Sequence, residues 1–251
     1  MKIFEYCFGC SPDVFPDVVV ITPFVPVKSF EKHCNVLTRF KGRLYSGVIA
    51  EIEDTQFAVL CCGLGDRLIG DAILYLRRTA VRSIIFTGSC GGLSAANVGD
   101  LLLCSSAFNG EGFTKYYDRD HAVKDILKTG KLILADKGYT DKFEKFIQNN
   151  ILENIMVKRG KVFTIGSIAA ETEENVKVIT EHGFEGIEME LSAVYSAARF
   201  SGIKATGIIY VSDLPGKKGI EDVFTSEEKE KYAKGKDEMI RLSVEFLSNE
   251  D

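Results

Sequence analysis

Residues able to do acid–base and anion-binding chemistry follow three apolar runs of the sequence, where predicted strands end. These are Gly88-Ser89-Cys90, Glu188-Met189-Glu190 and Ser212-Asp213. In an open α/β sheet ligands collect at the carboxyl ends of strands, so we expect the three segments to lie near one another. Carboxylates there accept hydrogen bonds from sugar hydroxyls, and a partly desolvated carboxyl serves as a general acid. Glycine amides beside a serine hydroxyl can cradle an anion.

Each segment also has an ordinary structural explanation. Glycines after a strand are typical of a tight turn, and Ser89 fits such a turn without any ligand. Glu188 and Glu190 precede a predicted helix, where acids favour the positive end of the helix dipole. Asp213 stands before Pro215-Gly216, a common turn context. The residue types alone leave both explanations open.

Short apolar runs alternate with helical patterns along the chain, which is typical of parallel β-α-β construction. The sequence predicts strands at 17–22, 43–51, 56–62, 83–87, 101–104 and 204–211, with another ending near Glu188. It predicts helices at 66–79, 131–149, 171–182, 190–200 and 226–248, the last with Ser226 as N-cap. Residues 106–130 are predicted to form a long functional loop, and 212–221 a polar loop. No linker or repeat interrupts the pattern, so we predict one α/β domain over 1–251.

The composition excludes several classes of protein. The net charge of −5 argues against a surface for nucleic acid, and 45% hydrophobic residues are enough for a sizeable core. No apolar run approaches the roughly 20 residues that span a bilayer, and the first ten residues lack the pattern of a signal peptide. Seven scattered cysteines predict reduced thiols and a cytoplasmic location. Cys7 and Cys10 have the spacing of a metal or disulfide pair, but no second pair follows.

The strings TGSCGGL, GIEMEL and YVSDLPG, in this order, resemble the type I nucleoside phosphorylases and nucleosidases. The stretch 109–117 resembles the substrate loop of uridine phosphorylases and related archaeal enzymes, and 17–28 resembles the family's first strand and phosphate loop. The resemblance implies a twisted mixed sheet surrounded by α-helices and cleavage of a purine–ribose bond. It also implies a small nucleoside as ligand, a homo-oligomer, and inorganic phosphate as co-substrate with no metal or other cofactor.

The resemblance also implies roles for individual residues. Asp213 matches the acid beside the purine N7, and an acid there favours purines over uracil. Glu190 matches the acid that binds the ribose hydroxyls, Met189 packs on the sugar, and Glu188 completes that motif. Residues implied for the phosphate and the base are Ser89, the backbone at Gly88 and Cys90, and Lys28. The family's base-stacking aromatic is missing, because Ser167-Ile168-Ala169 replaces its Asp-x-Phe. Phe163 is the candidate to substitute for it, and a phenylalanine of the core is the favoured alternative.

Several departures from the family pattern leave the nucleophile open. Phe86 stands where phosphorylases carry an arginine, and Phe24-Val25 replaces a Gly-Asp pair. No acid lies between Val18 and Ser29, where the methylthioadenosine/S-adenosylhomocysteine nucleosidases carry a glutamate that activates water. We therefore predict phosphorolysis to a free base and ribose 1-phosphate. A hydrolytic nucleosidase of that type and a non-catalytic nucleoside-binding protein are the alternatives.

Overall fold

Ten strands form one mixed β-sheet in the computed structural model, which describes residues 2–117, 122–219 and 222–249. The strands are β1 (Val18–Thr22), β2 (Asn35–Lys41), β3 (Ser46–Ile52), β4 (Thr55–Cys61), β5 (Ser83–Gly92), β6 (Leu101–Gly110), β7 (Leu132–Leu134), β8 (Val157–Ile165), β9 (Gly186–Glu188) and β10 (Lys204–Asp213). The helices are α1 (Lys2–Phe8), α2 (Asp66–Leu76), α3 (Ala122–Thr129), α4 (Lys137–Asn150), α5 (Glu173–Glu181), α6 (Leu191–Ser201) and α7 (Ser226–Leu247). The predicted α/β class with a mixed sheet and surrounding helices is confirmed.

Strand β5 organises the sheet. It pairs in parallel with β1 and β10 and antiparallel with β9. Strand β10 then pairs antiparallel with β6, β6 pairs in parallel with β8, and β8 in parallel with β9. Five strands (β5, β10, β6, β8 and β9) thus close into a ring, and β1, β4, β3 and β2 extend from it as an open sheet.

The local sequence explains the elements that carry the most packing. Strand β1 is a β-branched run, VVVIT, buried along its whole length. One core cluster joins the sheet to α2 and α6, and a second joins it to α4 and α7. Helix α7 begins with a capping box between Thr225 and Glu228. The N-cap is therefore Thr225; the prediction of Ser226 was wrong by one residue.

Other sequence predictions need correction. Strand β5 continues through the glycines of 88–92, which were predicted to follow a strand ending at residue 87. Residues 106–130 are not one loop, because they contain the end of β6, a 3-10 turn (Phe113–Tyr116) and α3. Residues 118–121 of that segment, and 220–221 of the predicted polar loop, lie outside the described residues. Elements α1, β2 and β8 were not predicted, and 131–149 begins with β7 before α4.

None of the helices in the described ranges combines the length and apolarity needed to cross a membrane. All seven cysteines carry free thiols, including the closely spaced Cys7 and Cys10.

Candidate functional site

The three chemically distinctive strand ends meet at one edge of the ring. Gly91 of β5 lies opposite Asp213 of β10 on one side and opposite Ile187 of β9 on the other. A cavity of about 610 Å³ opens at this junction, a size typical of small-molecule sites. The predicted residues that line it are Ser89, Cys90, Glu188, Met189, Glu190 and Asp213.

Gly91 allows β5 and the segment after β10 to approach closely. A Cβ atom at this position would lie 2.4 Å from Pro215 Cγ and 3.6 Å from Asp213 Oδ2. Any side chain there would collide with the Pro215 ring, whereas the contact with Asp213 is of ordinary van der Waals length. The glycine motif therefore acts here by allowing close packing beside Asp213.

Asp213 is positioned by an irregularity in β10. The pairing register shifts between Val211 and Asp213, so Ser212 is an extra residue in the ladder. The Ser212 hydroxyl lies 2.6 Å from Asp213 Oδ1 and 3.1 Å from the Cys90 carbonyl oxygen. Asp213 itself is only 4% exposed. The bulge thus turns a nearly buried carboxyl toward the cavity and holds one of its oxygens.

Glu190 is the second nearly buried carboxyl of the cavity. Its Oε1 accepts a hydrogen bond of 2.7 Å from the backbone N–H of Gly65, which has a φ of 99° that favours glycine. Burial raises the pKa of Glu190 to about 8, and the charge of Glu188 adds to the rise. A carboxylate offers about four acceptor sites, so capacity remains for ligand hydroxyls.

Glu188 has a different environment, although it also lines the cavity. Its Oε2 accepts hydrogen bonds of 2.6 Å from the backbone N–H groups of both Glu190 and Leu191, and its Oε1 accepts one from the Thr164 hydroxyl. Burial raises its pKa to about 7 against these donors. Both oxygens are engaged by the protein at the start of α6. This arrangement does not favour the sugar-binding role predicted for Glu188.

The remaining predicted residues divide into two groups. Met189 and Ser89 are partly buried and line the cavity, and the Ser89 hydroxyl contacts the phenol of Tyr210. Phe163 is fully buried and stacks on Phe108 at 5.5 Å between ring centroids, so it lies in the core and outside the cavity lining. Lys28 is exposed and is also outside the lining.

Several lining residues were not found from the sequence. Glu171 follows a 3-10 turn (Ile168–Ala170) after β8, and burial raises its pKa to about 7, with the charge of Asp213 adding to the rise. Lys229 and Tyr232 of α7 also line the cavity, and the Tyr232 hydroxyl lies 2.9 Å from that of Tyr210. The sequence feature that could have indicated Lys229 and Tyr232 is their spacing of three residues, because this spacing places both on one helix face.

The mouth of the cavity is apolar. Phe24, Leu64 and Ile168 line it and keep 39%, 57% and 59% of their surface exposed. Within the described ranges, no group of three or more His, Cys, Asp and Glu side chains could hold a metal ion.

Comparison with known proteins gives matches over most of the chain. Residues 18–248 match the model of the phosphorylase superfamily. A guanosine phosphorylase of Halorubrum lacusprofundi is 25% identical over 174 residues, which are 68% of this chain and 66% of that protein. A DeoD-type purine nucleoside phosphorylase of Myxococcus xanthus is 25% identical over 213 residues, 82% of this chain and 83% of that protein.

Solved structures share the fold at lower identity. A uridine phosphorylase from Vibrio fischeri superposes with a TM-score of 0.73 at 18% identity, covering 96% of this chain and 92% of the other. A methylthioadenosine/S-adenosylhomocysteine nucleosidase from Colwellia psychrerythraea, in complex with adenine, superposes with a TM-score of 0.72 at 18% identity. The match covers 93% of this chain and 96% of the other.

Proposed function

The chain belongs to the phosphorylase superfamily, a family of nucleoside phosphorylases and nucleosidases, and we propose that it cleaves the N-glycosidic bond of purine nucleosides with inorganic phosphate as the nucleophile. One observation carries the proposal. Asp213, Glu190 and Ser89, from three separate strand ends, line a single cavity of about 610 Å³. They are the residue types that such a reaction needs at its leaving group, its sugar and its nucleophile.

Glu190 binds the ribose in this proposal. Its position, fixed by the Gly65 N–H, leaves acceptor sites for the 2′- and 3′-hydroxyls. Donation from these hydroxyls favours the ionised carboxyl and therefore lowers its pKa from about 8. The resulting negative charge lies beside a sugar that becomes cationic as the bond breaks, which stabilises the transition state electrostatically. Met189 packs beside it against the sugar face.

Asp213 serves the leaving base. A purine departs with excess electron density, and a proton given to N7 neutralises that charge. Such general acid catalysis contributes typically about 10²–10⁴-fold. The carboxyl is 4% exposed, and Ser212 holds one of its oxygens, so its proton is directed rather than shared with bulk water. A protein that only bound the nucleoside, without cleaving it, would not require this acid.

The site proposed for the nucleophile has less charge than the sites proposed for the sugar and the base. Ser89 and the neighbouring backbone offer hydrogen bonds, and Lys229 is the only cationic side chain among the described residues that line the cavity. Lys28 lies on the segment that carries Phe24 and has an exposed side chain. Phe86, at 1% exposure, contributes no charge where the family's arginine stands. The names of the relatives, a guanosine phosphorylase and purine nucleoside phosphorylases, support phosphate over water.

We also propose that the protein works as a cytoplasmic homo-oligomer in nucleotide salvage. The exposed side chains of Phe24, Leu64 and Ile168 at the cavity mouth support the homo-oligomer, because a neighbouring subunit would cover them. Light scattering at micromolar concentration tests it: a mass of at least two chains is expected, and a strictly monomeric active enzyme would contradict it.

A nucleoside panel tests the class of substrate. Inosine, guanosine, adenosine and uridine are incubated with the enzyme and phosphate, and the free base is separated and quantified. Release of purine bases, with uracil release at least about tenfold slower, supports the proposal. Preferential release of uracil would contradict the purine assignment.

A further inference from the structure

The end of β5 next to β1 is apolar. Phe86 is 1% exposed, and its ring lies against the glycine motif: a Cβ atom at Gly88 would lie 3.0 Å from both Phe86 Cε1 and Phe86 Cζ. Phe24 lines the cavity mouth, whereas Lys28 on the same segment lies outside the lining. In the described part of the chain, an anion beside Ser89 therefore meets aromatic rings rather than cations on this side.

Helix α7 brings a cation to the cavity instead. Two other lysines of the helix pair with a glutamate four residues earlier, Lys231 with Glu227 at 2.8 Å and Lys234 with Glu230 at 2.7 Å. The cavity residue Lys229 has the N-cap Thr225 four residues before it and Ala233 four residues after it, so the helix offers it no such acid. No ion pair reaches its ammonium group from the residues that the structure describes, and this charge is available to a ligand.

Three hydroxyls connect the helix face of Lys229 with the end of β5. Tyr232 lies one turn after Lys229 on that face, and its hydroxyl is 2.9 Å from the Tyr210 hydroxyl, which contacts the Ser89 hydroxyl. Three hydroxyls carry three protons, and the two contacts between them use only two. The chain can therefore donate one further hydrogen bond, and the described residues supply no acceptor for it.

The charge and the donor together indicate the chemistry of the ligand. A group that accepts from an ammonium and a hydroxyl at once, on one helix face, needs several acceptor oxygens, as an oxyanion such as phosphate has. Four carboxyls also line the cavity, Glu171, Glu188, Glu190 and Asp213. Each of them that is ionised repels an anion, so binding of phosphate depends strongly on the lysine.

We propose that Lys229 and Tyr232 of α7 hold the phosphate nucleophile and replace the arginine that the family carries at the position of Phe86. Lys229 donates to one phosphate oxygen and offsets its charge, and Tyr232 donates the proton that the hydroxyl chain from Ser89 leaves unused. This inference rests on the proposed function for phosphate as the co-substrate. Its consequence is that the affinity for phosphate depends on α7, whereas the affinity for the nucleoside does not.

The first test measures KM for phosphate in the release of hypoxanthine from inosine. In Lys229→Gln this KM should rise by about tenfold or more, because a charge-assisted hydrogen bond is lost, and in Tyr232→Phe it should rise by a smaller factor. KM for inosine at saturating phosphate should stay near the wild-type value in both. Lys234→Gln, an exposed residue of the same helix, removes an equal charge away from the cavity and is the matched control. An unchanged KM for phosphate in Lys229→Gln, or an equal rise in Lys234→Gln, would overturn the inference.

Equilibrium dialysis with radiolabelled inorganic phosphate, without any nucleoside, separates this inference from the proposed reaction. Phosphate binding by the wild type and Lys234→Gln that is lost in Lys229→Gln supports the inference even if no nucleoside is cleaved. Binding that is absent from the wild type, or unchanged in Lys229→Gln, contradicts it. Phosphate-dependent cleavage with the same KM for phosphate in Lys229→Gln supports the reaction and contradicts the role of α7.

Discussion

The backbone N–H of Glu190 donates a hydrogen bond of 2.6 Å to the side-chain carboxyl of Glu188, two residues earlier. One acid of the motif thereby fixes the backbone that carries the other. Glu188 also receives the Leu191 N–H and the Thr164 hydroxyl, so its carboxyl acts as the partner of the N-terminus of α6. Glu190 is left to face the cavity. The two acids share a sequence motif and burial, and they differ in their hydrogen-bond partners.

This relationship predicts that substitutions of the two acids differ in their effect on stability. Glu188→Ala removes the partner of two buried N–H groups and of Thr164, and should lower the free energy of unfolding by about 1–3 kcal/mol or more. Glu190→Gln keeps the shape and an acceptor for Gly65, so it should cost little. Urea denaturation at pH 7 measures both. Equal destabilisation by the two changes would contradict the division of roles.

Glu190→Gln should instead change substrate discrimination. An ionised carboxyl that accepts from the ribose hydroxyls favours ribosides over 2′-deoxyribosides, because a charge-assisted hydrogen bond contributes about 1.5–3 kcal/mol. The ratio of kcat/KM for inosine to that for 2′-deoxyinosine should therefore fall by roughly tenfold or more in the variant. A wild type that handles both substrates equally well would exclude the role.

Asp213→Ala should lower kcat by about two to four orders of magnitude, because it removes the proton donor to the leaving base. The melting temperature should change little, since a residue at the cavity wall contributes little to core packing. Asp222→Ala, on the exposed part of the following loop, is the matched control and should retain wild-type kcat. Near-normal turnover in Asp213→Ala would remove this acid from the mechanism.

The buried acids also predict how stability depends on pH. Burial raises the pKa of Glu188 to about 7 and of Glu190 to about 8, whereas unfolded glutamates ionise near 4.5. Between pH 4.5 and the raised pKa values, the folded state binds more protons than the unfolded state. The free energy of unfolding should therefore fall as pH rises from about 5 to 8 and level off above pH 8. Denaturation at intervals of one pH unit measures the slope, which should be shallower in Glu190→Gln. A free energy of unfolding that increases from pH 5 to 8 would contradict the raised pKa values of these two buried carboxyls.

The sequence predicted the three strand ends because each combines an apolar run with residues of distinctive chemistry. It missed β8, since Lys158, Arg159 and Lys161 break the apolar pattern in the half of the strand that is not buried. It missed Glu171 because an acid beside Thr172, the N-cap of α5, is typical of a helix start. It left Phe163 between the base and the core, and the ring packs in the core against Phe108 of β6. Burial of such residues depends on how strands pair, which one sequence does not specify.

The sequence also did not predict which of the two carboxyls, Glu188 or Glu190, accepts its hydrogen bonds from the protein. Both acids flank Met189, and their residue types alone assign them the same chemistry; only the family resemblance assigned the ribose hydroxyls to Glu190. Only the position of Thr164 and the start of α6 determines which carboxyl is occupied by protein donors. Asp213 was easier to identify, since it ends an apolar strand and precedes a turn.

We propose that this cavity transfers the ribose of a purine nucleoside to phosphate. The most direct measurement follows hypoxanthine release from inosine while phosphate is titrated, with the sugar product identified by mass spectrometry. We predict saturable dependence on phosphate and formation of ribose 1-phosphate in equal amount to the base. Release of free ribose at a rate independent of phosphate would contradict the claim and assign hydrolysis to the cavity.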